Sequence, residues 1–211
     1  MKLARGFFCL LCAGALYAGS AGAQNLLVNG SFEQPAFAPD SVNGPGSIPG
    51  WTSTGGFEVW NQFQGPAADG QQYLELDVAS CTTISQTITT DPSKDYWVSL
   101  AFGARNGVAD NRIEVLWNGA VIGAASADGS ALSGNTIWKR YSFPAPGGSA
   151  SSTLAIRNVD ACDGLGSLLD DVSVAVAVPL VPTPSLGSIG AALLMGALGL
   201  FALLLLRRRV A

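Results

Sequence analysis

Arg112-Ile113-Glu114-Val115-Leu116-Trp117-Asn118-Gly119-Ala120-Val121-Ile122-Gly123-Ala124-Ala125 is the stretch that decides the fold class. Ile113, Val115 and Trp117 alternate with Arg112, Glu114 and Leu116. That period of two places one strand face in a core and the other toward solvent. Asn118-Gly119 then interrupts the run, and both residues tolerate the positive φ that a two-residue hairpin demands. The stretch therefore reads as strand, tight turn, strand.

The same pattern extends outward. Tyr96, Val98, Leu100 and Phe102 alternate with Trp97, Ser99, Ala101 and Gly103. Shorter runs lie at Leu26–Phe32, Phe57–Trp60, Gln72–Asp77, Thr83–Thr89, Trp138–Phe143, Ser152–Asn158 and Leu168–Val176, with glycine-rich turns between them. No window in this region sustains a helical period, and there is no internal repeat. About ten short strands predict an all-β fold, an antiparallel β-sandwich of the jelly-roll kind.

The two ends differ from this body and from each other. Lys2 and Arg5 precede an apolar stretch, Gly6 to Leu16, and Ala21-Gly22-Ala23 supplies the small residues of a cleavage site. That stretch is too short to cross about 30 Å of hydrocarbon, so residues 1–23 read as a signal peptide and the mature chain as starting at Gln24. Cys9 and Cys12 fall inside it, and Leu11 before Cys12 argues against a lipoprotein site. Residues 186–206, in contrast, are an uncharged run long enough for a transmembrane helix. Arg207, Arg208 and Arg209 follow at once, which predicts a cytoplasmic tail at 207–211 and an ectodomain, 24–177, outside the membrane. Between them, residues 178–185 carry three prolines and read as an extended linker.

Charge and composition narrow the function. Lys94, Arg105, Arg112, Lys139, Arg140 and Arg157 are the six cations of the region between the ends, set against all fifteen acidic residues of the chain, a net charge of −9. A nucleic-acid partner, which needs a basic face, is excluded. Histidine is absent from the chain, which removes the commonest general base and the commonest zinc ligand. Cys81 and Cys162 are the cysteines left after export; they pair most simply as a disulfide, the alternative being two buried thiols.

Two resemblances add to this. The Pro-rich segment, apolar helix and terminal arginines resemble the bacterial CTERM sorting tails, of the PEP-CTERM class and its IPTL-CTERM relatives. Val181-Pro182-Thr183-Pro184-Ser185 keeps the Pro-Thr of the second, with Pro184 where leucine is usual. This implies processing by a sorting transpeptidase and display at the cell envelope; without processing the helix remains an anchor. The second resemblance rests on Asn25-Leu26-Leu27-Val28-Asn29-Gly30-Ser31-Phe32-Glu33, Pro49-Gly50-Trp51, Asp69 to Asp77, Ala104-Arg105, Asn111 to Val115 and Leu169-Asp170-Asp171-Val172. In this order they resemble the domain-of-unknown-function 642 family and related choice-of-anchor exported proteins, which look like galactose-binding-like jelly rolls. The resemblance implies binding to cell-wall or extracellular polysaccharide and names no sugar.

It also implies a structural calcium (Ca2+) bridging the first and last strands through Glu33 and Asp170 or Asp171. Asp170 shares parity with Val172, Val174 and Val176, so its carboxylate aims at a core edge and needs a cation, an arginine or backbone N–H donors. For a sugar, Trp60 beside the polar Asn61-to-Gly65 loop is the preferred stacking platform, with Gln62, Arg105 and Asn111 as polar partners. Trp51, Tyr73 and Trp117 read as packing residues. Glu58, Glu75 and Asp77 are the carboxylates a glycosidase would need, but acidic domains hold such pairs by chance, and no triad, phosphate loop or activated cysteine accompanies them. No catalytic residue is assigned. The expectation is a non-enzymatic envelope module that binds polysaccharide; the alternative is a structural envelope or biofilm protein acting through protein–protein contacts.

Overall fold

The computed structural model of the chain describes residues 24–78 and 80–178, together with Met195. The expected signal peptide, most of the expected linker and membrane span, and the arginine tail lie outside the described residues. Among the described residues no helix is long and apolar enough to cross a membrane.

The described chain is an antiparallel sandwich of eleven strands. They are β1 (Ser41–Asn43), β2 (Thr52–Ser53), β3 (Glu58–Asn61), β4 (Gln72–Glu75), β5 (Thr83–Thr89), β6 (Tyr96–Gly103), β7 (Asn111–Trp117), β8 (Ala120–Ala127), β9 (Trp138–Ala145), β10 (Ser151–Asn158) and β11 (Leu168–Val176). One sheet runs β1-β3-β4-β11-β6-β9, the other β2-β5-β10-β7-β8. Asn118 and Gly119 adopt positive φ, 51° and 83°, and β7 pairs β8 across them as the sequence predicts.

Alternation decides what the sheets bury. Ile113, Val115 and Trp117 from one sheet meet Val98, Leu100 and Phe102 from the other in a single core, with Ile84, Leu154, Ile156 and Val174. Arg112, Glu114 and Leu116 stay outside it. The buried Trp117 indole donates to Pro146 O at 2.9 Å, so its one polar group is satisfied.

The opening segment is not the strand its apolar run suggests. Asn25 replaces ladder bonds with side-chain bonds: Oδ1 accepts from Leu27 N and Val174 N, and Nδ2 donates to Val172 O, each at 3.0 Å. Asn29 and Phe32 turn the chain at φ 53° and 55°, which drops the Phe32 ring into the core. Gly30 passes so close to β11 that a Cβ there would sit 2.0 Å from Val172 O.

A second departure concerns Asp170. The β6–β11 ladder shifts register between Asp170 and Ser173, and Asp171 takes φ 46°. This bulge breaks the parity on which the core-facing reading of Asp170 rested. Leu169 and Val172 face the main core, whereas Leu168 joins a second cluster with Trp60 and Tyr73, on the outer face of the six-stranded sheet. Asp170 follows Leu168.

Candidate functional site

That outer face is built over by loops. Trp60 from β3, Tyr73 from β4 and Leu168 from β11 are buried, with Ala67 and Trp138 packed against them. The loop after β3 folds back across them because its backbone finds partners there. Gln64 N donates to Tyr73 Oη at 2.9 Å, and Trp138 Nε1 donates to Pro66 O at 2.9 Å. The loop after β6 closes the other side, where Asn106 N donates to Gln64 Oε1 at 3.0 Å.

Arg105 is the pivot. Its guanidinium lies 4.9 Å from the centroid of the Trp60 ring, a cation–π distance. Nη1 pairs with Glu75 Oε1 at 3.1 Å and donates to Gly164 O at 3.2 Å. Glu75 also accepts from Asp77 N and Gly166 N, so each of its oxygens is engaged. Burial pushes its carboxyl up to about 7, against the pull of those N–H groups and of Arg105. Gly166 is needed for this approach, since a Cβ would come within 2.5 Å of Asp77 Cβ.

The sequence-predicted ligand residues do meet here, in other roles. Trp60 is 1% exposed, with Arg105 over its face and Phe63 against it, so it has no face to offer a sugar. The Trp60 platform is corrected on that ground: the polar loop beside it folds over it. Asn111 is fully buried and organises the Arg105 loop, accepting from Arg105 N at 2.9 Å and donating to Val108 O at 2.8 Å. Gln62 is exposed at a turn, φ 57°. Beside it stands the residue that sequence reasoning missed. Phe63 is 52% exposed and its ring sits edge-on to Trp60, 5.2 Å between centroids. The only sequence signal was an aromatic inside the polar run Asn61–Gly65.

The expected calcium set fares differently. Glu33 Oε1 accepts from Gln71 N and Gln72 N at 2.8 and 2.7 Å. Asp170, fully buried, accepts from Ala68 N and Asp69 N at 2.8 and 2.9 Å and from Asp171 N. Burial raises the Asp170 carboxyl to about 8, while the three backbone N–H bonds pull it down. Asp171 pairs with Arg140. Among the described residues no three His, Cys, Asp or Glu side chains form a metal-sized group, and no oxygen of these three is a buried orphan. Glu33 and Asp170 fasten the two ends of the 68–72 loop, and the donor set does not fit a cation. Cys81 and Cys162 are joined as a disulfide, Cα atoms 4.5 Å apart.

This architecture has relatives. The family described as "Protein of unknown function (DUF642)" matches residues 25–175. The chain belongs to the DUF642 family. Over 158 residues this DUF642 chain is 32% identical to a multifunctional-autoprocessing repeats-in-toxin protein of Vibrio vulnificus, a match that covers 71% of the chain and 3% of that relative. Among solved structures it is similar to a Stig cyclase, Fisc, from Fischerella sp. TAU, at 15% identity and TM-score 0.55, covering 74% of this chain and 98% of that one. The carbohydrate-binding module TmCBM61, solved with β-1,4-galactotriose, matches at 15% identity and TM-score 0.50, covering 74% and 100%. At such identities these structures establish the jelly-roll fold of the DUF642 domain and nothing about its ligand.

Proposed function

We propose that this DUF642 chain is an exported, envelope-held, non-catalytic module that binds cell-surface or matrix polysaccharide at the ledge formed by Phe63, Gln62 and Arg105. The observation that carries the reading is Phe63, an aromatic ring 52% exposed and braced by a buried one. A pyranose presents an apolar C–H face and a rim of hydroxyls, and a binding site for such a ligand combines apolar surface with a few fixed polar groups. Gln62 supplies an amide next to the ring. Arg105 spends only Nη1 on the protein among the described residues, which leaves Nη2 and Nε for hydroxyls. The acidic domain suits a neutral ligand, and the TmCBM61 likeness, a galactotriose complex on the same fold, agrees. Residues 1–23 deliver the chain through the membrane, and residues 178–211 hold it there or pass it to a sorting transpeptidase.

The test is affinity electrophoresis of the purified full chain through gels containing soluble polysaccharides, galactans and arabinans among them. At least one should retard it, and Phe63→Ala should abolish the retardation while leaving the melting temperature unchanged. Equal retardation of Phe63→Ala, or none across the panel, rejects the reading; the second result favours a structural protein held by protein–protein contacts.

A further inference from the structure

Three of the buried oxygens that lack partners among the described residues belong to Asp77, Asn158 and Asp160, in segments joined by the Cys81–Cys162 disulfide. Asp77 is fully buried; its Oδ2 accepts from Gly164 N at 2.9 Å and its Oδ1 has no partner. Asn158, 3% exposed, donates through Nδ2 to Asp160 Oδ1 at 2.6 Å, and its own Oδ1 has no partner. Asp160, 9% exposed, also accepts from Cys162 N at 3.2 Å, and its Oδ2 has no partner. Three orphaned side-chain oxygens thus come from the 76–82 loop, from the last residue of β10 and from the 159–167 loop that follows it. The loops are held together by the Cys81–Cys162 disulfide and by the chain of bonds Thr82 N to Leu76 O and Asn158 N to Thr82 O.

All three orphans are acceptors, and two belong to carboxylates. The neighbouring cations are committed elsewhere: Arg105 to Glu75 and Gly164 O, Arg112 to Asp110. Water could hydrogen-bond the oxygens, but it would leave two buried negative charges unbalanced, and a buried charge is costly unless paired. Carboxylate and amide oxygens are hard ligands of the kind calcium takes, with waters completing its shell at the rim.

We propose that Asp77, Asn158 and Asp160 hold a calcium ion between the 76–82 and 159–167 loops. The ion would balance both carboxylates and lock the loop whose Gly164 O and Gly166 N position Arg105 and Glu75. This site is separate from Glu33 and Asp170, and it does not depend on the sugar reading.

The experiment is thermal unfolding of the purified full chain in chelator, in calcium and in magnesium, with calcium binding measured by titration calorimetry at 25 °C. Calcium at a hundredfold excess over its Kd should raise the melting temperature by about 5–10 °C. Calorimetry should give one ion per chain. Asp77→Asn and Asp160→Asn should each abolish the heat of binding and the rise, while Glu33→Gln keeps both. No calcium binding by the wild-type chain, binding unaffected in the two aspartate variants, or binding lost in Glu33→Gln would each overturn the assignment. A response to magnesium with none to calcium would overturn the choice of ion. Should an aspartate variant fail to fold, the wild-type calorimetry decides alone.

Discussion

Replacing Arg105 by methionine should make stability depend on pH in a way the wild type does not. Glu75 lies beneath the guanidinium with no exposed side-chain surface, and the Arg105 side chain is 19% exposed. The Glu75 carboxyl sits at about 7 in the folded state against an ordinary 4.5. A raised carboxyl pKa means the folded state binds more protons than the unfolded state between those two values. Its contribution is therefore most favourable at and below pH 4.5 and is lost as pH climbs to 7, a fall of about 3 kcal/mol at roughly 1.4 kcal/mol per unit. Without Arg105 the folded-state value moves higher still, because one of the groups favouring the charged form is gone. The decline then continues through pH 8. At pH 5 the variant should lose about 1 kcal/mol, chiefly the contact with Trp60. By pH 8 the extra unit of decline adds about 1.4 kcal/mol, which brings the loss to roughly 2–2.5 kcal/mol. Urea unfolding followed by tryptophan fluorescence at pH 5, 6.5 and 8 measures the difference. Asp170 titrates with the same sign in both proteins and cancels. Adding Glu75→Gln to the variant should flatten its curve. Parallel wild-type and variant curves across this range would refute the buried-pair account of Arg105.

Other consequences are simpler to state. Cys81→Ser opens a loop whose ends are 81 residues apart, which the chain-entropy relation values at about 4.5 kcal/mol, so the melting temperature should fall by ~10 °C or more. Reductant should reproduce that fall in the wild type and change nothing in the variant. Gly30→Ala places a methyl group against Val172 O and should cost about 1–3 kcal/mol, with faster hydrogen exchange at Leu26 and Val174, the residues whose backbones pair across that seam. Normal exchange at those amides would show that the opening segment docks by other means.

Strands with one wet face were legible in the sequence. In β7 and β10 every second residue is buried, and the period of two survives in the side chains. In β4 it does not, because all four residues are buried: Leu74 in the main core, Tyr73 in the outer cluster, and Gln72 and Glu75 bonded to loop backbone. Periodicity cannot tell which face of such a strand is the core, and so Tyr73 and Trp60 were assigned without the outer cluster they form. The strands β1 and β2 are too short to show any period. The bulge at Asp170 hides for a related reason: one added residue reverses parity, and nothing in Asp-Asp-Val marks where it falls. The cysteine pair was readable because few cysteines leave few pairings. The Asp77, Asn158 and Asp160 cluster was not, since a turn and a disulfide bring together residues some 80 positions apart.

The words that mark the family are largely the words of one seam. Asn25 and Gly30 dock the opening segment on β11, Glu33 and Asp170 hold the two ends of the 68–72 loop, and Trp51 Nε1 donates to Asn29 O at 3.0 Å. Each of these side chains is engaged with the backbone or packed in the core. The match across residues 25–175 is accordingly a statement about how the sandwich closes, and it follows from bonds that do not involve a ligand. The exposed ring of Phe63 and the amide of Gln62 lie outside that seam, on a surface turn. Changing those two residues should alter what the domain binds without disturbing how it folds. For that reason Phe63→Ala, and not a change in the opening motif, is the substitution that separates function from architecture.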